Sequence, residues 1–227
     1  YLRKAAREAG VRTSWTAVDE EYEDSLDELA RRTTSDRWHT DHVRTLVDEI
    51  LFDGRVNSLA QRLLLLTAPG VPDLYQGSEL WDLSLVDPDN RRPSDFDERA
   101  AMLDAGGWAD PATPVPRADV LADPEDPGSP KLALTARALS VRRKHPDAFG
   151  PDGAYTPLVA EGEAGGHVVA YLRGADVVVA VPRLSRVLRS QRGGGADTRL
   201  GLPAGTGLDA LTPGRAYEGA VPVAELL

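Results

Sequence analysis

The chain has 227 residues, enough for one large domain or two modest ones, and its 41% hydrophobic and 27% charged content is that of a globular protein rather than a disordered one. Its 36 acidic against 26 basic residues leave a net charge of −10, which argues against a nucleic-acid partner, for which a basic face is needed, and disfavours an anionic membrane surface. With no cysteine there is no disulfide or thiolate metal site, as suits a reducing cytosol, and no apolar run approaches the roughly 18 residues of a membrane helix.

The chain opens at Tyr1 inside a helical pattern, with Leu2, Ala5, Ala6 and Ala9 on one side and Gly10 as the stop, which reads as a piece of something longer. Residues 16–32 predict a second helix, with Tyr22, Leu26 and Leu29 as a narrow apolar stripe beneath a solvated acidic surface. Residues 33–40 are polar and predict a turn or loop. The strongest helical signal follows. Val43, Leu46, Val47, Ile50 and Leu51 obey the i, i+3, i+4, i+7, i+8 rule, and Val56, Leu59, Ala60, Leu63, Leu64 and Thr67 repeat it, with Gly54 as a point of bending or division.

Pro69-Gly70 stops that helix, and Val71 to Tyr75 reads as a short, fully buried strand. The next segment, Gln76 to Arg92, gathers four carboxylates, an asparagine, a glutamine, two tandem arginines and Trp81. Vicinal sugar hydroxyls are held by such carboxylate, amide and guanidinium groups, with aromatic faces under the ring. Helix, buried strand and long polar loop make an α/β arrangement, in which ligands bind at the carboxyl ends of the strands. Tyr75, Gln76, Glu79, Asp87, Asp89, Asn90, Arg91 and Arg92 are therefore the candidate substrate-binding residues.

Residues 97–105 predict a short helix and 106–128, rich in Pro, Asp and Gly, an irregular excursion. Ser129-Pro130 starts another helix, serine as N-cap, with Leu132, Ala136 and Leu139 inward and Arg142, Arg143, Lys144 and His145 at the negative end of its dipole; Pro146 closes it. Beyond about residue 148 the period becomes two. Residues 167–172 and 177–181 flank Arg173-Gly174-Ala175-Asp176 as a hairpin, 190–196 is a Gly-rich loop, and 198–202, 215–218 and 221–227 predict further strands. This is a thin-cored all-β domain, and the closing apolar run predicts a further strand.

The string PGVPDLYQGSELWDLSLVDPDNRRP is very similar to the segment that ends the (β/α)₈ barrel of the α-amylase-type maltooligosyltrehalose synthases. Tyr1 to Trp15, Asn57-Ser58-Leu59-Ala60-Gln61 and His167-Val168-Val169-Ala170 extend the resemblance, with Arg12 and Ser94 as departures from the family pattern. The general amylase signature at the eighth strand corresponds to Gly70, Pro72, Tyr75, Gly77 and Glu79; Trp81 and the Asp-Pro-Asp-Asn-Arg-Arg-Pro run narrow it to the synthases.

The resemblance implies residues 1–147 as the carboxyl-terminal part of a catalytic barrel with a helical insertion, and 148–227 as a β-sandwich. It implies a cytoplasmic bacterial parent that needs no organic cofactor or metal. Its substrate would be a maltooligosaccharide and its partner the missing amino-terminal part. The parent would turn the terminal α-1,4 bond into an α,α-1,1 trehalose linkage by a retaining mechanism, with its catalytic carboxylates upstream of Tyr1 and none in this chain.

Carboxylates in a mixed polar loop more often accept hydrogen bonds than form an acid/base pair, and Glu79 suits a structural bond as well as a substrate contact. Asp87 or Asp89 could pair with Arg91 or Arg92 only to hold the loop, and Trp81 could simply pack. His39 and His42 fit a solvated helix face better than a metal site without a third ligand. Two other functions are compatible with the loop: a non-catalytic α-glucan-binding module, and another amylase-type enzyme such as a trehalohydrolase.

Overall fold

The computed structural model describes residues 1–86, 89–116, 118–190 and 197–226, which form two compact units: residues 1–50 with 83–93, and residues 51–82 with 94–227. Asp87 and the loop 191–196 lie outside the described residues.

In the first unit, α1 (Leu2–Ala9) ends as expected, with Gly10 in the left-handed conformation at φ 64°. The second helix, α2 (Glu20–Ser35), begins where the Asp19 side chain accepts from the Tyr22 amide. Arg7 grips Glu23 through two hydrogen bonds of 2.7 Å, Thr13 donates to the same carboxylate at 2.7 Å, and Arg3 reaches Asp24 and Asp27. The turn expected over 33–40 is absent. Asp36 alone is extended: its amide closes α2, and its carboxylate accepts from the Trp38 amide at 2.8 Å to start α3 (Arg37–Thr67). One capping side chain thus lets the two helices follow with a single residue between them.

The helix α3 is continuous over 31 residues, so Gly54 does not divide it. Its neighbours are held by tertiary contacts: Arg189 makes a two-pronged ion pair with Asp53, and Ser185 donates to the Asp53 carbonyl and the Asn57 amide oxygen. Packing here offsets the roughly 1 kcal/mol cost of a mid-helix glycine.

Residues 71–75 form no strand. Val71 is 99% exposed and Tyr75 47%. The physical reason is that a parallel strand draws its hydrogen bonds from neighbouring strands, and none lies beside this segment among the described residues.

In the second unit, α4 (Phe96–Gly106) is capped by Asp95. The excursion that follows holds a short helix, α5 (Ala118–Ala122), and two buried arginines staple it down. Arg137 donates to the carbonyls of Pro111 and Ala210 at 2.7 Å, Asp110 at 3.0 Å and Thr113 at 2.5 Å. Arg55 donates to those of Leu121, Asp123, Pro124 and Asp126. Irregular backbone cannot pair with itself, so a forked cation supplies the donors.

The helix α6 (Ser129–Lys144) starts one residue before the expected place, with Gly128 rather than Ser129 as the N-cap, and its entry is organised by Asp126, which accepts from the Gly128 and Ser129 amides and the Ser129 hydroxyl. Nearly its whole circumference is buried over Pro130–Thr135, whereas Leu139, expected inside, is 38% exposed. Arg142 leaves its carboxyl end to donate to the Leu66 carbonyl. A short α7 (Pro146–Phe149) follows.

All described strands lie between Tyr155 and Pro222. They are β1 (Tyr155–Leu158), β2 (Ala160–Glu161), β3 (Val168–Arg173), β4 (Val177–Pro182), β5 (Arg199–Leu208) and β6 (Ala216–Pro222). The sheets are antiparallel, in orders β1-β3-β4 and β2-β5-β6. The 173–176 hairpin is present, with Val168 opposite Pro182 and Arg173 opposite Val177. Ala160 and Leu200 from one sheet and Ala170 from the other enter one core cluster with Val223. The helix α8 (Ser185–Ser190) carries Ser185 and Arg189 towards α3, and the final segment, expected as a strand, turns instead into α9 (Val223–Leu226). No described helix is long and apolar enough to cross a membrane.

Candidate functional site

In the second unit the candidate residues Tyr75, Gln76 and Glu79 belong to a tight turn on a cationic clamp. The turn is closed by the Ser78 amide and hydroxyl, which donate to the Tyr75 carbonyl at 3.2 and 2.6 Å. Three long cations then hold consecutive parts of its backbone. Arg99 donates to the Gly77 carbonyl at 2.9 Å, Arg62 to the Ser78 carbonyl and its Oγ, and Lys131 to the Leu80 carbonyl at 3.1 Å. Gly77 is required: it sits at φ 82°, and a Cβ there would lie 2.6 Å from Ser94 Oγ. With its backbone secured from one side, the turn leaves the Tyr75 and Gln76 side chains exposed.

The electrostatics of the clamp explain its unpaired atoms. Arg62 Nη1, Glu79 Oε2 and Arg99 Nε are buried without hydrogen-bond partners among the described residues. Glu79 Oε2 nonetheless lies 3.4 Å from Arg99 Nε as an ion pair. Burial lowers the pKa of Arg62, with Glu79 opposing it, and burial followed by the nearby Arg62 charge brings Lys131 down to about 8. Glu79 therefore lies within a charge cluster with Arg62, Arg99 and Lys131. A cavity of about 520 Å³ opens beside Arg62 and Lys131, walled also by Ser58, Gln61, Leu64, Leu65 and Ala68.

Trp81 packs. Its indole N–H donates to Asp126 at 3.2 Å, its amide donates to the Pro127 carbonyl, and the Arg55 guanidinium lies 5.2 Å from its ring centre. Gly128, at φ 124°, lets this tryptophan approach, since a Cβ there would stand 2.5 Å from the Trp81 nitrogen.

The remaining described candidates belong to the first unit. Asp89, Asn90 and Arg91 form a single 3₁₀ turn. Asp89 accepts from the Leu85 amide at 2.7 Å and pairs with Arg92, and these contacts, the amide bond first, hold its carboxyl below the usual range. Asn90 Oδ1 is buried with no hydrogen-bond partner among the described residues. Arg91 is exposed and Arg92 extends into solvent with 74% of its side chain accessible. The eight candidates thus divide into Tyr75, Gln76 and Glu79 in one unit, Asp89 to Arg92 in the other, and Asp87 outside the described residues.

Sequence reading missed Arg62, Arg99 and Lys131. Arg62 hides within the apolar periodicity of α3, and its one signal is a lone cation on a face otherwise occupied by Leu59, Leu63 and Leu66. Among the described residues no group of three His, Asp or Glu is placed to hold a metal; His42 Nδ1 instead lies 2.6 Å from the Trp38 carbonyl, with its ring over the indole.

No family model matches the chain. Similarity to individual proteins is extensive. A Mycobacterium tuberculosis protein named "Putative maltooligosyl trehalose synthase" is 41% identical over 226 residues, which is 100% of this chain and 26% of that protein. The solved maltooligosyltrehalose synthase from Arthrobacter ramosus superposes with a TM-score of 0.83 at 40% identity, over 98% of this chain and 27% of that one. A further solved maltooligosyl trehalose synthase gives a TM-score of 0.74 at 27% identity, over 96% of this chain and 27% of that one. The chain spans about a quarter of the length of the relatives it matches. In sequence and backbone alike, it is matched from end to end by a portion of the maltooligosyltrehalose synthases.

Proposed function

We propose that this chain is the carboxyl-terminal part of a maltooligosyltrehalose synthase and forms a wall of its glucan-binding cleft. The observation that carries the reading is the match along the whole chain at about 40% identity. The parent would break the terminal α-1,4 glycosidic bond with retention. The released glucose would then attack the glycosyl-enzyme through its anomeric hydroxyl, forming the α,α-1,1 bond. Water must be kept out of that second step, or hydrolysis wins.

The share assigned to this chain is binding. Tyr75 and Gln76 leave the clamped turn with exposed side chains, and Asn90 Oδ1 is a buried acceptor without a donor among the described residues, a fit for a sugar hydroxyl. Asp87, Asp89, Arg91 and Arg92 extend the wall in this reading, and Glu79 serves through the turn it stabilises. The reading of the two sheets within residues 148–227 as a β-sandwich draws support from the core cluster shared between them; the division at residues 147 and 148 is part of the same proposal and does not coincide with the compact units of the fold. A cytoplasmic setting follows from the same family reading. The binding-module alternative draws on the exposed Tyr75 and Gln76; the trehalohydrolase alternative gains nothing from the comparisons.

The test is to incubate the synthase-length protein containing this chain with maltopentaose. Loss of reducing ends without release of glucose is expected; free glucose or trehalose instead would overturn the reaction class. Turnover by chain 1–227 alone would overturn the assignment of its carboxylates as non-catalytic.

A further inference from the structure

The first compact unit holds together without a hydrophobic core. Among its described residues only Thr13 and Glu23 are buried, and both belong to the ion-paired knot around Arg7. Meanwhile the amino-terminal part of α3 stands in water, with every residue from 41 to 50 exposed. Val43, Leu46, Val47 and Ile50 recur there at i, i+3, i+4 and i+7, and are 59, 56, 41 and 42% exposed. They make one stripe, two turns long, bordered by Arg44 on one side and by His42 and Glu49 on the other. A solvated helix gains nothing from such a stripe, whereas burying each side chain is worth roughly 1.5–3 kcal/mol. Apolar centre and charged border are the anatomy of an interface.

The geometry points to Val43, Leu46, Val47 and Ile50 as a docking surface for the part of a synthase-length chain that lies outside the quarter represented here, an inference that rests on the function proposed above. One observation selects that occupant. The same backbone, at a TM-score of 0.83, recurs within a chain of which it is only 27%, so most of that protein's surface is available to cover the stripe.

The test places Leu46→Glu with Ile50→Glu in the synthase-length protein containing this chain and compares thermal unfolding and limited proteolysis with the parent. A melting temperature lower by roughly 4 °C or more, with earlier cleavage within residues 37–50, is expected, whereas Leu208→Glu, which alters an equally apolar exposed site, should leave both unchanged. Equal unfolding and cleavage in the double variant, an equal loss in Leu208→Glu, or a parent homodimer that the double variant dissociates would each overturn the surface. Activity separates the two proposals. A stripe-dependent shift in a protein that fails to convert maltopentaose sinks the function and leaves the surface, and an active protein indifferent to the double variant does the reverse.

Discussion

Thr67 Oγ1 and the Tyr171 hydroxyl lie 2.6 Å apart, with the two residues 3 and 1% exposed, and join the carboxyl end of α3 to the middle of β3. Thr67 also donates to the Leu63 carbonyl, which directs its hydroxyl. The helix and the sheet therefore share one buried polar contact whose partners are 104 residues apart in sequence. Burial raises the Tyr171 pKa, keeping the phenol neutral and able to donate. Tyr171→Phe should cost about 1 kcal/mol, a fall of about 2–4 °C in melting temperature for a chain of this size. Differential scanning calorimetry of the two proteins decides it; an unchanged midpoint would show the bond to be dispensable.

Arg137 is 4% exposed and carries four backbone carbonyls, three from residues 110–113 and one from Ala210. Arg137→Met keeps the apolar stem but strands those acceptors, at a cost of about 3 kcal/mol or more. Limited proteolysis should then cut within residues 107–116 first. Arg137→Lys should rescue little, because an ammonium cannot span the fork.

Glu23 is held near pKa 2, first by the Arg7 hydrogen bonds and then by Thr13, against opposing desolvation. An unfolded glutamate titrates near 4.3. The folded unit thus binds fewer protons than the unfolded one in this window, so the stabilisation is complete above about pH 4.5 and is lost as pH falls through 2. Amide exchange in α1 and α2 should accelerate over that range. Glu23→Gln should already be loosened at neutral pH and show a flatter acid response.

Lys131 works in the opposite sense. Its folded pKa is about 8, against 10.5 for the free amine, so below pH 8 folding carries the cost of burying its charge. Between pH 8 and 10.5 the unfolded chain holds a proton that the folded chain has released, and stability rises with pH by up to about 3 kcal/mol from this group. Urea unfolding at pH 7 and 9.5 should show that rise in the wild type and lose it in Lys131→Met. A parallel pH response in both would rule it out.

Much of the architecture can be read from local pattern. The stop at Gly10, the start near Ser129, the 173–176 hairpin and the period-two region after residue 148 all rest on interactions within a few residues, and those are written into the order of side chains. The string from Pro69 to Pro93 also sufficed to point to the synthases, which the whole-chain match supports. Tertiary context decided the rest. Val71 to Tyr75 has the composition of a buried strand but no described strand to pair with, so it is irregular and exposed. Gly54 stays helical because α8 grips Asp53 and Asn57 on either side of it. The clamp of Arg62, Arg99 and Lys131 unites residues 69 positions apart at its extremes, and no local periodicity announces a cation that folding will bury beneath a distant turn. Side-chain order sets what each segment can pair with; only the folded chain determines which partners reach it.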